Sequence, residues 1–131
     1  MRRIFLVLAI IGLFVSCDKA DKISNTELVG TWKLIEVLSD PGDGSGTFHP
    51  VKSDKTITFK KDGTISSNGK LCDMSNNSDH PTSGTYSVSD MTFRSQGCAD
   101  PNYEYSFKHD GEILTIYYPC IEGCVAKYKK R

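Results

Sequence analysis

The chain of 131 residues is long enough for one domain with a real core and short for two. Its 16 basic and 16 acidic residues cancel, so no basic field invites nucleic acid. Eleven glycines, many threonines and tyrosines, and few helix-forming runs point to β structure.

Residues 1–16 read as a secretory leader. Arg2 and Arg3 make a positive start, and Ile4 to Val15 is apolar apart from Gly12. The run is too short to cross a hydrocarbon layer of ~30 Å as a helix. Leu13-Phe14-Val15-Ser16-Cys17 resembles the lipobox of bacterial lipoproteins, although Phe14 stands where leucine is commonest. That resemblance implies cleavage before Cys17 and lipid attachment to it. Residues 17–26 then form a polar tether, and the expected address is the bacterial cell envelope, with the outer membrane the expected layer. Several acyl chains, at roughly 0.8 kcal/mol per buried CH₂, would anchor stably.

The domain proper is expected over 27–131. It opens on Leu28-Val29-Gly30-Thr31-Trp32-Lys33-Leu34-Ile35-Glu36-Val37-Leu38, a strand holding the only tryptophan. Residues 39–54 are turn and loop chemistry, Asp40-Pro41-Gly42-Asp43-Gly44-Ser45-Gly46 above all. They lack the spacing and ligand count of a calcium loop and read as a flexible lid. Lys55 to Lys60 alternates, with Ile57 and Phe59 on one face and Thr and Lys on the other. Asp62-Gly63 turns, and Thr64 to Ser67 returns. A second polar loop, 68–82, carries Cys72. Gly84 to Val88 and Met91 to Arg94 flank the turn Ser89-Asp90. A third connection carries Cys98. Tyr103, Tyr105 and Phe107 share a face, His109-Asp110-Gly111 turns, and Ile113 to Tyr118 runs back. Pro119 to Cys124 connects to a last strand, Val125 to Lys129.

This makes roughly eight strands joined mostly as hairpins, an all-β chain that can hide its edges by closing into an antiparallel up-and-down barrel. Such a barrel is wide enough for side chains or one small ligand. Leu28-x-Gly30-x-Trp32 is similar to the G-x-W signature of lipocalins. Ile57 to Thr64, Ser83-Gly84-Thr85-Tyr86 and Lys127-Tyr128-Lys129 resemble the lipocalin-like lipoproteins of Bacteroidetes-type bacteria. The resemblance implies that Gly30 and Trp32 are structural, with the tryptophan packed across a closed base.

If strands alternate up and down, connections 39–54, 68–82, 95–102 and 119–124 share one end, and the three tight turns share the other. The first strand starts at the tight end, so the tether leaves there and the loop-bearing mouth points away from the membrane. Cys72, Cys98, Cys120 and Cys124 all fall at the mouth. In an exported protein an even set reads as disulfides, and four cysteines allow three pairings. Cys72–Cys98 and Cys120–Cys124 are favoured, because the first ties neighbouring loops and the second brackets a short connection. A zinc site is disfavoured, since only Cys120-x₃-Cys124 has knuckle spacing. His49 and His80 could meet at the mouth near Asp43 or Asp79, yet solvated loop histidines explain them better.

No catalytic motif is present, so no enzyme activity, metal or cofactor is expected. Phe59, Tyr86, Phe93, Tyr105 and Phe107 are assigned inward and favour a filled core over an open cavity. The first expected function is binding of a small apolar or amphipathic ligand at the mouth, with Phe48, Met74, Tyr86, Phe93 and Tyr105 as contacts. The second is a monomeric protein- or glycan-interaction module presenting Gln96, Asn102 and Tyr103 over a solid core.

Overall fold

The computed structural model describes residues 25–131. The expected leader 1–16, the lipid-bearing Cys17 and the tether up to residue 24 lie outside the described residues.

Among the described residues, one helical turn, α1 (Asn25–Leu28), precedes nine strands: β1 (Gly30–Ser39), β2 (Phe48–Pro50), β3 (Thr56–Phe59), β4 (Thr64–Ser67), β5 (Thr82–Ser87), β6 (Thr92–Ser95), β7 (Tyr105–Asp110), β8 (Ile113–Tyr118) and β9 (Cys124–Lys130). All neighbours pair antiparallel, and β9 returns to β1 to close the sheet. At ten residues, β1 is the longest strand. One of its edges pairs with β9 from Trp32 to Ser39, with a bulge between Leu34 and Glu36. Its other edge is shared, β3 taking Gly30 to Lys33 and β2 taking Glu36 to Leu38. The result is a closed eight-stranded barrel with β2 as an extra strand.

Residues 39–54 are therefore more than a lid. Strand β2 escaped the sequence reading because its three residues, ending in Pro50, are too few to show alternation. It is positioned by Asp40, whose carboxylate accepts the backbone N–H groups of Gly42 at 2.8 Å, Gly44 at 3.2 Å and Gly46 at 3.1 Å. Those bonds hold Asp40 below the usual carboxylate range, the Gly42 bond first among them.

The even strand count sets the two ends. Residues 60–63, 88–91 and 111–112 turn tightly at one end, whereas 40–47, 68–81, 96–104 and 119–123 occupy the other. Cys72 and Asp62-Gly63 thus lie at opposite ends, and both expected disulfides, Cys72–Cys98 and Cys120–Cys124, form at the loop-bearing end.

Alternation aims one side chain in two at the interior. Trp32, Leu34, Ile57, Phe59, Ile65, Phe93, Phe107, Leu114, Ile116, Ala126 and Tyr128 fill it, each essentially without solvent contact. Side chains of this size contribute roughly 1.5–3 kcal/mol each on burial. Trp32 sits at the tight end, its indole Nε1 donating to the Leu28 carbonyl at 2.9 Å and its ring edge-on to His109 at 5.2 Å. His109 Nε2 in turn lies 2.7 Å from the Gly111 carbonyl of the β7–β8 turn. Gly30, with φ of 138°, lets the chain swing from α1 into β1. At Gly84 a Cβ would sit 1.8 Å from the Arg94 carbonyl oxygen, so only glycine lets β5 approach β6 there.

Candidate functional site

The strand split along β1 creates the most distinctive feature of the barrel wall. Between β2 and β3 the chain leaves the sheet, bracketed by two backbone bonds: Val51 N–H to the Ile35 carbonyl at 2.9 Å, and Leu34 N–H to the Lys55 carbonyl at 3.0 Å. Residues 52–54 arch outward between these points. A groove of about 790 Å³ opens there, bounded by Lys33 to Ile35, by Val51 to Asp54 and by Asn76 to Asp79 of the β4–β5 loop. Leu34 is part of its lining. The side chain of Leu34 is part of the core, so it is this residue's edge that the groove touches.

Inside the barrel wall is a buried polar set. Lys55 is fully buried, and its ammonium donates to the Asp73 carbonyl at 3.0 Å and the Ser75 carbonyl at 2.9 Å. Loss of hydration pulls its pKa from 10.5 down to about 8, and the Asp73 carboxylate offsets only part of that. Tyr128 stands on β9 opposite Leu34, and Tyr118 ends β8. Both hydroxyls are buried and face each other, and neither has another hydrogen-bond partner among the described residues. They are close enough to influence each other's titration without forming a well-directed bond. Burial drives both phenols well above their ordinary range, and the nearby Asp73 carboxylate adds to it. Asp73 is therefore the common neighbour of Lys55, Tyr118 and Tyr128.

The loop above is firmly tied. The Cys72–Cys98 disulfide joins it to the β6–β7 connection. Thr82 Oγ1 donates to the Gly69 carbonyl at 2.7 Å and accepts from Leu71 N–H at 2.9 Å, while Asp73 accepts from Ser75 N–H at 2.9 Å.

The expected contact residues do not gather at one place. Met74 packs against the core from the same loop, and Tyr105 lies 6.0 Å from Tyr118, ring to ring, so these two belong to the mouth. Phe93 is buried and stacked on Tyr105 at 5.0 Å, a packing role. Tyr86 is at the wrong end. Its hydroxyl donates to the Lys60 carbonyl in a tight turn at 2.6 Å, and its ring packs edge-on against Phe59. Strand pairing carries Tyr86, Phe93, Tyr105 and Tyr118 in one tilted row, from the Gly63 turn up to Cys124. Phe48 is outside the barrel altogether. It pairs with Leu38, whose side chain faces outward beyond the β1 bulge, and Lys127 lies over its ring at 3.8 Å. There it joins an outer groove of about 450 Å³ with Ile113, Tyr117 and Val125. His49 and His80 are each exposed beside a local partner, Thr47 and Asp79, and do not form one site. Among the described residues no cluster of three or more His, Cys, Asp or Glu side chains is arranged to hold a metal.

Lys55, Tyr118 and Tyr128 went unmarked in the sequence reading, yet the signal existed. Lys55 has the same parity as Ile57 and Phe59, so strict alternation puts it on the inward face rather than with the threonines. Tyr118 follows Leu114 and Ile116, and Tyr128 follows Ala126, in the same way.

A family model described as a lipocalin-like domain matches residues 28–116. Neither a curated protein nor a solved structure matches the chain. The matched span runs from the turn before Trp32 to Ile116, more than half of the chain, and it covers β1 to β7 and the first part of β8. The chain belongs to the lipocalin-like domain family.

Proposed function

We propose that this protein is an exported lipoprotein, anchored through Cys17, whose barrel binds a small amphipathic ligand at the loop-bearing end. The observation that carries the binding reading is the groove at the β2–β3 arch, which the core residue Leu34 lines in part. A concave groove at the barrel's mouth, with Leu34 and Val51 in its lining, gives a ligand a place to dock and some apolar surface to bury. The lipobox-like Leu13 to Cys17 supports the anchor, and two disulfides are compatible with an oxidising compartment. The chemistry is binding rather than catalysis, and the working form is the monomer.

A second reading rests on a different observation. The interior is filled by side chains, and the outer groove around Phe48 and Tyr117 offers apolar surface on the barrel exterior. That arrangement suits an envelope protein partner with no small molecule involved.

Native mass spectrometry of protein purified from its own host separates the two. A co-purifying small molecule that disappears in a Val51→Trp variant, which fills the groove, is expected for the ligand reading. Absence of any such molecule, together with an envelope partner retained by Val51→Trp and lost on Phe48→Glu, would establish the second reading instead. Release of a Cys17→Ser variant from the membrane fraction is expected if the anchor is correct.

A further inference from the structure

Independently of any ligand site, we propose that Cys120–Cys124 is a thiol–disulfide exchange centre opened by an external dithiol, whereas Cys72–Cys98 is a structural bond. The two pairs stand in opposite surroundings. Cys98 is 8% exposed and Cys72 packs against the core, so a thiol must displace packed side chains to reach that bond. Cys120 is exposed and Cys124 half-buried, and both line an open cleft of about 510 Å³ with Asp40, Ile121 and Glu122 beside them. Exposed disulfides are the readily exchanged ones. The pair also spans only 4 positions against 26 for the other, so opening it releases little chain. The pairing of β8 with β9 holds the barrel closed without it.

One thiolate of the dithiol attacks the exposed Cys120 Sγ, and the S–S bond breaks with its electron pair leaving on Cys124. Water protonates that thiolate. The second thiolate of the dithiol attacks the dithiol's own sulfur in the mixed disulfide and releases Cys120. Gly123 N–H lies 3.2 Å from Cys120 Sγ and steadies the charge that leaves there. The dithiol ends as a disulfide, the protein gains two thiols, and two electrons have moved. The cleft also selects its reductant. Asp40 and Glu122 are the charged residues of its lining, and both are acidic. The Asp40 carboxylate is kept ionised by the N–H groups of Gly42, Gly46 and Gly44. An anionic thiol is therefore repelled, and a neutral or cationic one is admitted. The reductant that fits is a protein dithiol with basic residues around its thiols. Ile121, 97% exposed at the rim, offers such a partner an apolar contact.

Folded full-length protein carrying Cys17→Ser, which leaves the two pairs as its only cysteines, is treated with graded dithiothreitol, alkylated with iodoacetamide and mapped by mass spectrometry. Cys120 and Cys124 are expected to be alkylated at least tenfold faster than Cys72 and Cys98, with the circular dichroism spectrum unchanged. Cysteamine, 2-mercaptoethanol and glutathione then read the charge of the cleft. Per thiolate, cysteamine is expected to open the bond at least fivefold faster than glutathione, and Glu122→Gln is expected to narrow that ratio. In a Cys124→Ser variant, Cys120 should form a mixed disulfide with cystamine at least tenfold faster than Cys124 does in a Cys120→Ser variant. Reduction of Cys72–Cys98 first, or of both pairs together, would overturn the exchange centre. The absence of any ranking by charge would overturn the class of reductant. Equal trapping by the two single variants would overturn Cys120 as the attacked sulfur.

Discussion

Lys55 shows how one side chain ties the mouth to stability. A lysine whose pKa falls from 10.5 to about 8 on folding is a cost at neutral pH, because the unfolded chain keeps its proton more readily. Below pH 8 that cost is fully present, about 3 kcal/mol by linkage. Between pH 8 and 10.5 the unfolded state holds the extra proton, so stability rises with pH across that window. The phenols act in the opposite direction. Tyr118 and Tyr128 have raised pKa values, so what they contribute as buried neutral groups is complete below pH 10 and is lost as pH climbs beyond it. Urea denaturation from pH 7 to 11 is therefore expected to show stability climbing from pH 8 and turning over above pH 10. A Lys55→Met variant should lose the climb and keep the fall. A wild-type profile that is flat between pH 8 and 10 would contradict the burial of the ammonium.

At the level of elements, the four long connections share one end because antiparallel strands alternate, and this much was legible in the sequence. The run Asp62-Gly63, Ser89-Asp90 and His109-Asp110-Gly111 marks every other turn as tight, leaving the cysteine-bearing loops to the opposite end. What parity does not show is how a loop is built. The β1–β2 connection is ordered around the Asp40 carboxylate, and the split of the β1 edge between β2 and β3 depends on a bulge at Ile35 that no local pattern announces. Phe48 was misplaced for that reason, since the bulge flips the outward face of β1 to Leu38. The two disulfides should also differ in weight. Cys72–Cys98 spans 26 positions and Cys120–Cys124 only 4. In the chain-entropy model the longer closure is worth about 3 kcal/mol and the shorter about 2. A Cys72→Ser/Cys98→Ser variant is expected to lose that larger share in denaturant titration and to loosen the loop over Lys55. A Cys120→Ser/Cys124→Ser variant should lose less and leave ligand affinity within about twofold. A larger loss for the second pair would reverse this assignment of the mouth.

For the whole molecule, strand count and the Gly30-x-Trp32 start were enough to reach the barrel, because eight alternating strands leave closure as the way to cover both edges. The interior polar set was the part least visible. Its members come from the arch before β3, from β8 and from β9, and only closure brings those together. The family match ends at residue 116, whereas the barrel does not close until β9, Cys124–Lys130, is in place. Strand β9 pairs on both sides, with β8 along its length and with β1 from Trp32 to Ser39. It also brings Ala126 and Tyr128 into the core. A chain stopped after Tyr118 would expose the long edge of β1 and the whole edge of β8, and open the interior at its best-packed seam. That loss exceeds a typical domain stability of about 5–15 kcal/mol. The truncated protein is expected to show no cooperative melt by circular dichroism and to run as aggregate on size exclusion, since two unpaired apolar edges invite further strands. A soluble truncated chain with a cooperative melt would mean that the β1–β9 seam is dispensable, and the mouth would then have to be rebuilt from β1 to β8 alone.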